Sequence, residues 1–213
     1  MTNIYYHFLS SPNAINDLEE KRIKISQIDE LNDPFELMPY LGETNAIQRN
    51  RYRRLRRMTA RKFGILCFSK NWSDPLLWGH YADKHKGIAL GFKIEGYGLI
   101  PVHYLSRMPI LTINALRNEK DLINRLIKFK YEEWSYENEM RIVVDLSDCI
   151  PIREQYFLPF RENLVLSEII FGAKYDNSTE HIVELLKETK AKLIQSRTAF
   201  KSYRIIQNHS VKF

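Results

Sequence analysis

Tyr136-Glu137-Asn138-Glu139-Met140-Arg141-Ile142-Val143-Val144 joins alternating charged residues to a branched apolar run, the pattern of a strand entering a core. In extended chain the side chains alternate between faces, so Glu137, Glu139 and Arg141 are expected on one side and Met140 and Ile142 on the other. Two carboxylates so close raise each other's pKa, and a neighbouring cation or a ligand that develops positive charge relieves the repulsion. A glycosyl-transfer transition state is such a ligand. The alternative is an exposed strand on which Arg141 pairs with one glutamate, an arrangement that contributes little stability.

Upstream of this segment, Ile4 to Leu9 reads as a first strand, and Ser10-Ser11-Pro12 supplies an N-cap and a first-turn proline for a helix through about Glu20. Ile23 to Ser26 alternates like a half-buried strand. Leu31-Asn32-Asp33-Pro34-Phe35-Glu36 reads as a turn, since the residue before proline avoids helical geometry and Asn and Asp bond to nearby backbone. A helix is expected over about 44–62, followed by a central strand in the apolar run 64–69. Asp74 can cap a helix that starts at Pro75 and carries Leu76 to Asp83, with Gly87 closing it before a strand at 88–92.

Further on, a strand at 100–105 precedes a long amphipathic helix over about 112–130, whose apolar stripe is Leu116, Ile123, Leu126 and Ile127. Beyond the acidic strand come a strand at 164–172, a helix over about 177–190 and closing strands near 193–196 and 203–208. Strands outnumber helices and show no regular alternation with them. The expected fold is therefore α+β, one domain over residues 1–213 with a mixed, mostly antiparallel sheet flanked by helices.

With 213 residues, 44% of them hydrophobic, the chain can bury one sizeable core. It contains no apolar run long enough to cross a bilayer, and Met1-Thr2-Asn3-Ile4 does not open a signal peptide, so a cytoplasmic protein with no membrane partner is expected. Cys67 and Cys149 lack a C-x-x-C partner and read as reduced thiols. The net charge is +6, and a dense basic run occupies Arg49 to Arg57. Within it Arg51, Arg53, Arg54 and Arg57, with Tyr52 interleaved to stack on a base, suggest an RNA or DNA partner; a solvated helix face is the competing reading.

Trp78, Tyr81, Ala82 and His85 fall at helical spacing on one face, which either packs into the core or lines a cleft where a planar group such as nicotinamide stacks. His80 and His85 are five apart, roughly 140° around a helix, so a shared metal is not expected. His7, on the first strand, is either a rim residue or a hydrogen-bonding partner for a ribose or amide. Neither Cys67 nor Ser69 sits in a nucleophile elbow, and no G-x-G-x-x-G or P-loop occurs, so any NAD is bound without a Rossmann fingerprint.

Four motifs in order carry a resemblance: Asn32-Asp33-Pro34-Phe35-Glu36, Cys67-Phe68-Ser69, Trp78-Gly79-His80-Tyr81-Ala82-Asp83 with His85-Lys86-Gly87, and Trp134 to Arg141. Over most of the chain this order resembles a bacterial family defined by a domain of unknown function. It is also similar to the ADP-ribosyltransferase superfamily, with a histidine on the first strand, an aromatic helix after a serine-ending strand, and E-x-E opening a late strand. That resemblance implies a metal-free enzyme using NAD as substrate. It assigns His7 to a ribose, Trp78 and Tyr81 to nicotinamide, and Ser69 to support of the pocket. Glu139 is implied to stabilise the oxocarbenium-like transition state and Glu137 to orient or deprotonate the acceptor.

The sequence departs from the superfamily pattern after His7, where the expected glycine and hydroxyl residue do not follow. The resemblance further implies a macromolecular acceptor, with RNA or DNA suggested by the arginine run, and a toxin or phage-defence setting with an inhibitory protein partner. Two other readings use the same residues. One is an NAD glycohydrolase with water as acceptor; the other is a non-catalytic RNA- or DNA-binding module whose glutamates are structural partners of Arg141.

Overall fold

The protein's structure is a computed structural model describing residues 3–187 and 189–213. The chain opens with β1 (Ile4–Leu9), α1 (Ser11–Glu19) and β2 (Arg22–Gln27). After a long turn region, α2 (Ala46–Lys62) runs directly into β3 (Phe63–Ser69), and α3 (Pro75–Tyr81) leads to β4 (Ile88–Ile94). The middle holds β5 (Ile100–Pro101), β6 (His103–Leu105), α4 (Glu119–Leu126), β7 (Phe129–Tyr131) and β8 (Glu139–Asp145). The last third holds β9 (Ile150–Ile152), β10 (Gln155–Pro159), β11 (Leu164–Phe171), α5 (Glu180–Leu185), β12 (Lys192–Thr198) and β13 (Ile205–Gln207).

Eleven strands share one sheet, antiparallel throughout except where β11 meets β12, while β6 and β7 form a separate parallel pair. The fold is α+β with a mixed, mostly antiparallel sheet, as the distribution of apolar runs predicts. Asp74 caps α3 as expected, accepting from Leu76 N at 2.8 Å with Pro75 in the first turn.

Local geometry revises several elements. The expected helix over 112–130 is three pieces: a single 3-10 turn at Ile113–Ala115, a break at Leu116, and α4 restarted by Asn118, whose side chain accepts from Asp121 N. Its last residues leave the helix altogether and alternate as β7, because Lys128 O is taken by His103 N and the segment pairs with β6. The strand expected at 100–105 divides at Val102, whose N–H goes to Glu139 O. The helix expected over 177–190 shortens to α5. The hairpin β9–β10, turning at Arg153 with φ +55°, has only short apolar stretches broken by Pro151 to announce it.

The sheet forks at β3, and the fork positions the cavity described below. One edge of β3 is fully paired with β8 from Phe63↔Asp145 to Ser69↔Glu139. On the other edge β2 pairs only at Gly64 and Ile65, and β1 only at Ser69. Residues 66–68 therefore face a gap between two diverging strands. In that gap the His7 ring donates from Nδ1 to Cys67 O at 2.9 Å, so a side chain supplies the hydrogen bond a neighbouring strand would otherwise give.

At the far end of α3, backbone crowding fixes the exit toward β4. A Cβ on Gly87 would lie 2.1 Å from Leu9 O and 2.9 Å from the Ala82 backbone, whereas one on Gly79 of α3 would meet nothing within 4 Å. Gly87→Ala is expected to cost about 3 kcal/mol in urea unfolding because backbone must move. Gly79→Ala should stabilise by up to about 1 kcal/mol through helix propensity. Equal effects would contradict this packing.

Candidate functional site

At the fork lies a cavity of about 250 Å³, walled by Tyr6–Leu9 of β1, Lys24 and Ser26 of β2, and Cys67–Ser69 of β3. The turn containing Asn32 and Glu36 closes one side, and Tyr81, Lys130, Glu137 and Glu139 close another. Behind this wall Arg141 is completely buried. Its Nη1 and Nη2 both donate to the Glu36 carboxylate, its Nε and Nη2 donate to Glu139 at 2.8 and 2.9 Å, and Nη1 also reaches Ile127 O at 2.8 Å. Lys130 Nζ meets three carboxylates, Glu137 at 2.6 Å, Glu139 at 3.4 Å and Glu36 at 3.5 Å. Three acids and two cations leave one negative charge when all five are ionised.

Geometry explains how these groups converge. Glu139 and Arg141 share a face of β8, as alternation predicts, but Glu137 precedes the strand in a 3-10 turn and is swung inward by Asn138 at φ +44°. The alternative of an exposed strand does not hold: Glu137, Glu139 and Arg141 are all buried, with β8 paired to β3 along one edge and to β5 at Met140 and Arg141 on the other. Glu36 is aimed inward by a tight turn: Asp33 Oδ1 accepts from Phe35 N at 2.9 Å, and Leu37 takes φ +60°. Lys130 sits at the centre of β7, with Nζ 4.9 Å over the Trp134 ring.

Glu137 and Glu139 titrate in opposite directions. Burial disfavours charge on Glu139, but Arg141 and Lys130 outweigh it and hold the carboxyl at about 2. At Glu137 burial dominates, is reinforced by the charge of Glu139, and raises the carboxyl above its ordinary value despite Lys130. Tyr81 donates its hydroxyl to Glu137; burial and that same carboxylate push the phenol up, so it remains a donor. Carboxylates driven apart in this way are suited to different proton roles. His7 is held neutral because burial lowers its pKa. Since Cys67 O can only accept, Nδ1 carries the proton and Nε2 is left as an acceptor.

Several sequence-derived assignments land elsewhere. Trp78 does not line the cavity: it is wholly buried, donates from Nε1 to Trp72 O at 2.7 Å, and packs edge-on against Phe8. The aromatic stripe ends at Tyr81, because Asp83, Lys84 and His85 have φ of 43°, 53° and 73° and carry His85 off the helical face. Ser69 lines the cavity, but its hydroxyl is occupied by a local turn, donating to Asn71 O and accepting from Asn71 N. Arg51, Arg53, Arg54 and Arg57 are exposed on α2, which contributes nothing to the cavity wall. Tyr52 cannot stack on a base, since it is buried and its hydroxyl donates to Leu37 O.

The groups that sequence reading passed over are Glu36 and Lys130. Glu36 lies inside a motif that reads as a turn, and Lys130 at the end of an expected helix; the alternation Phe129-Lys130-Tyr131 is the one local signal for its strand. Comparison of the chain with known protein families, curated proteins and solved structures found no match. Among the described residues no group of three or more His, Cys, Asp and Glu is placed to hold a metal ion.

The buried cluster has a pH signature. Glu139, lowered from 4.5 to about 2, contributes stability that is complete above about pH 4.5 and is lost as pH falls toward 2. Arg141→Met leaves Glu36, Glu137 and Glu139 to share Lys130 as their one buried cation and is expected to cost about 3–5 kcal/mol near neutral pH. Its slope should reverse, with stability falling as pH rises through the carboxylate range. Urea titrations at several pH values check both signs, and parallel curves for the two proteins would contradict the assigned pairing.

Proposed function

We propose that this cavity binds the nicotinamide-ribose end of NAD and that the protein is an ADP-ribosyltransferase acting on a macromolecule. The observation that carries this reading is a carboxylate with a lowered pKa, Glu139, held by Arg141 and Lys130 in the wall of an aromatic-lined cavity beside a second carboxylate whose pKa is raised. The pyridinium ring of NAD is cationic, and the sugar left by its departure is more so at C1′. Lining charge favours both, since Glu30, Glu36, Glu137 and Glu139 outnumber Lys24 and Lys130.

Size agrees with a partial occupant. About 250 Å³ lies just below the range of roughly 300–1,000 Å³ for drug-sized ligands, so one ring and sugar fit while the rest of the dinucleotide crosses the rim. Lys24 in the lining, half-exposed and in a 3.5 Å ion pair with Glu30, is a cation that can turn to a diphosphate. His7 Nε2 accepts from a ribose hydroxyl, and the Tyr81 ring flanks the nicotinamide. In the reaction the C1′–N bond breaks and its electron pair leaves with nicotinamide. Glu139 stabilises the cationic sugar, the acceptor's nucleophile bonds to C1′, and its proton passes to Glu137. With water as acceptor the same steps describe an NAD glycohydrolase.

Glu137→Gln is expected to lower transfer by roughly 10²–10⁴-fold while leaving NAD affinity within a few-fold. Wild-type turnover should rise with pH through the raised pKa of Glu137, since the base must be ionised. Nicotinamide release and the fate of the ADP-ribose label, followed with and without total cellular RNA and protein, read both effects. Absence of both NAD binding by calorimetry and nicotinamide release with the wild-type protein would overturn the proposal in favour of a non-catalytic binding module.

A further inference from the structure

The chain's net charge is concentrated at one end. Residues 189–213 hold six Lys or Arg and no Asp or Glu, whereas residues 1–188 hold 26 of each, so the whole excess of +6 lies in the C-terminal segment. Four of those cations belong to the β12–β13 hairpin and its connection, residues 199–204: Lys192 at the start of β12, and Arg197, Lys201 and Arg204 around the tip. The same connection carries Phe200 and Tyr203, which are 95% and 99% exposed. Large aromatic side chains left wholly in water forgo the burial that ordinarily stabilises them, and neither ring joins a core cluster.

The tip has defined geometry. Ala199 N donates to Arg204 O at 3.0 Å and Arg204 N to Ser202 O at 2.9 Å, while the Arg197 guanidinium lies 5.3 Å over the Phe200 ring. Its base is anchored by Ile194 and Ile205, buried with Trp78, and by Ile205 N donating to Ser73 O at 2.8 Å. From Ser73 the loop runs back through Asn71 to Ser69 in the cavity wall, so the hairpin is fixed to the segment that borders the candidate site.

We propose that this hairpin is a docking surface for single-stranded nucleic acid, with Phe200 and Tyr203 stacking on bases and Arg197, Lys201 and Arg204 meeting phosphates. Exposed rings interleaved with cations are the combination that single strands use, because every unstacked base offers a π-face beside a charged backbone. A duplex conceals those faces. A membrane-seated tip groups its apolar residues with the cations flanking them, whereas here Lys201 and Ser202 stand between the two rings, so sinking both draws an ammonium in with them. The surface lies apart from α2 and does not depend on the chemistry of the cavity.

The test is fluorescence anisotropy of labelled oligouridylate and oligodeoxythymidylate with the full chain over a range of salt concentrations. Phe200→Ala with Tyr203→Ala should weaken binding about tenfold or more without changing the thermal midpoint. Lys201→Gln with Arg204→Gln should flatten the slope of log affinity against log salt by about 1.4, two phosphate contacts on a single strand. A comparator carrying Arg51→Gln, Arg53→Gln, Arg54→Gln and Arg57→Gln keeps most of the affinity if the hairpin is the surface. Wild-type affinity in both hairpin variants with loss in the comparator would move the surface to α2 and overturn the proposal. So would failure of the wild-type protein to bind either oligonucleotide, or binding only to phosphatidylserine vesicles.

Discussion

The guanidinium of Arg141 is the group on which both the fold around the cavity and its electrostatics depend. It ties the 33–37 turn to β8 through Glu36, and both to the end of α4 through Ile127 O. These elements are far apart in sequence, and a buried cation brings them to one point because each must satisfy it. Such clusters are weak sources of net stability, since removing two or three ions from water costs nearly what their attraction returns. Their value here is in fixing charge. Glu139 is kept ionised by Arg141 and Lys130, and its charge adds to burial in raising the Glu137 carboxyl above its ordinary value.

The second constraint is the split in the sheet. A strand with three residues unpaired on one edge leaves backbone groups that need partners, and His7 fills that need from its ring. The same bond fixes which imidazole nitrogen carries the proton, so the structural role of His7 also sets its chemical one.

Much of the fold is legible in sequence because its strands are long and apolar. Gly64 to Ser69 is a continuous apolar run of the kind that forms a central strand, Leu164 to Phe171 is a second, mostly apolar one, and Asp74-Pro75 marks a helix start by capping geometry alone. The misread region, 112–130, has a helical stripe that local propensity supports, but a cap at Asn118 and pairing with β6 override it. The site is legible only in part. Glu137, Glu139 and Arg141 are adjacent in sequence and announce themselves, and Tyr81 and His7 do reach the cavity. Glu36 and Lys130 are brought in by tertiary structure, which no spacing rule encodes. Trp78 misleads for a physical reason: an indole with a backbone acceptor within reach is as content in a core as in a cleft.

The central claim is that one buried cluster drives two neighbouring carboxylates apart, and side-chain carboxyl chemical shifts measure that directly. With glutamate ¹³C-labelled at Cδ, an NMR titration should show the Glu139 signal moving with a midpoint at about pH 2 and the Glu137 signal titrating above the ordinary carboxylate range, each assigned by its glutamine variant. Both signals moving together near pH 4.3 would contradict the account, because it would mean that neither glutamate feels the buried charges assigned to it.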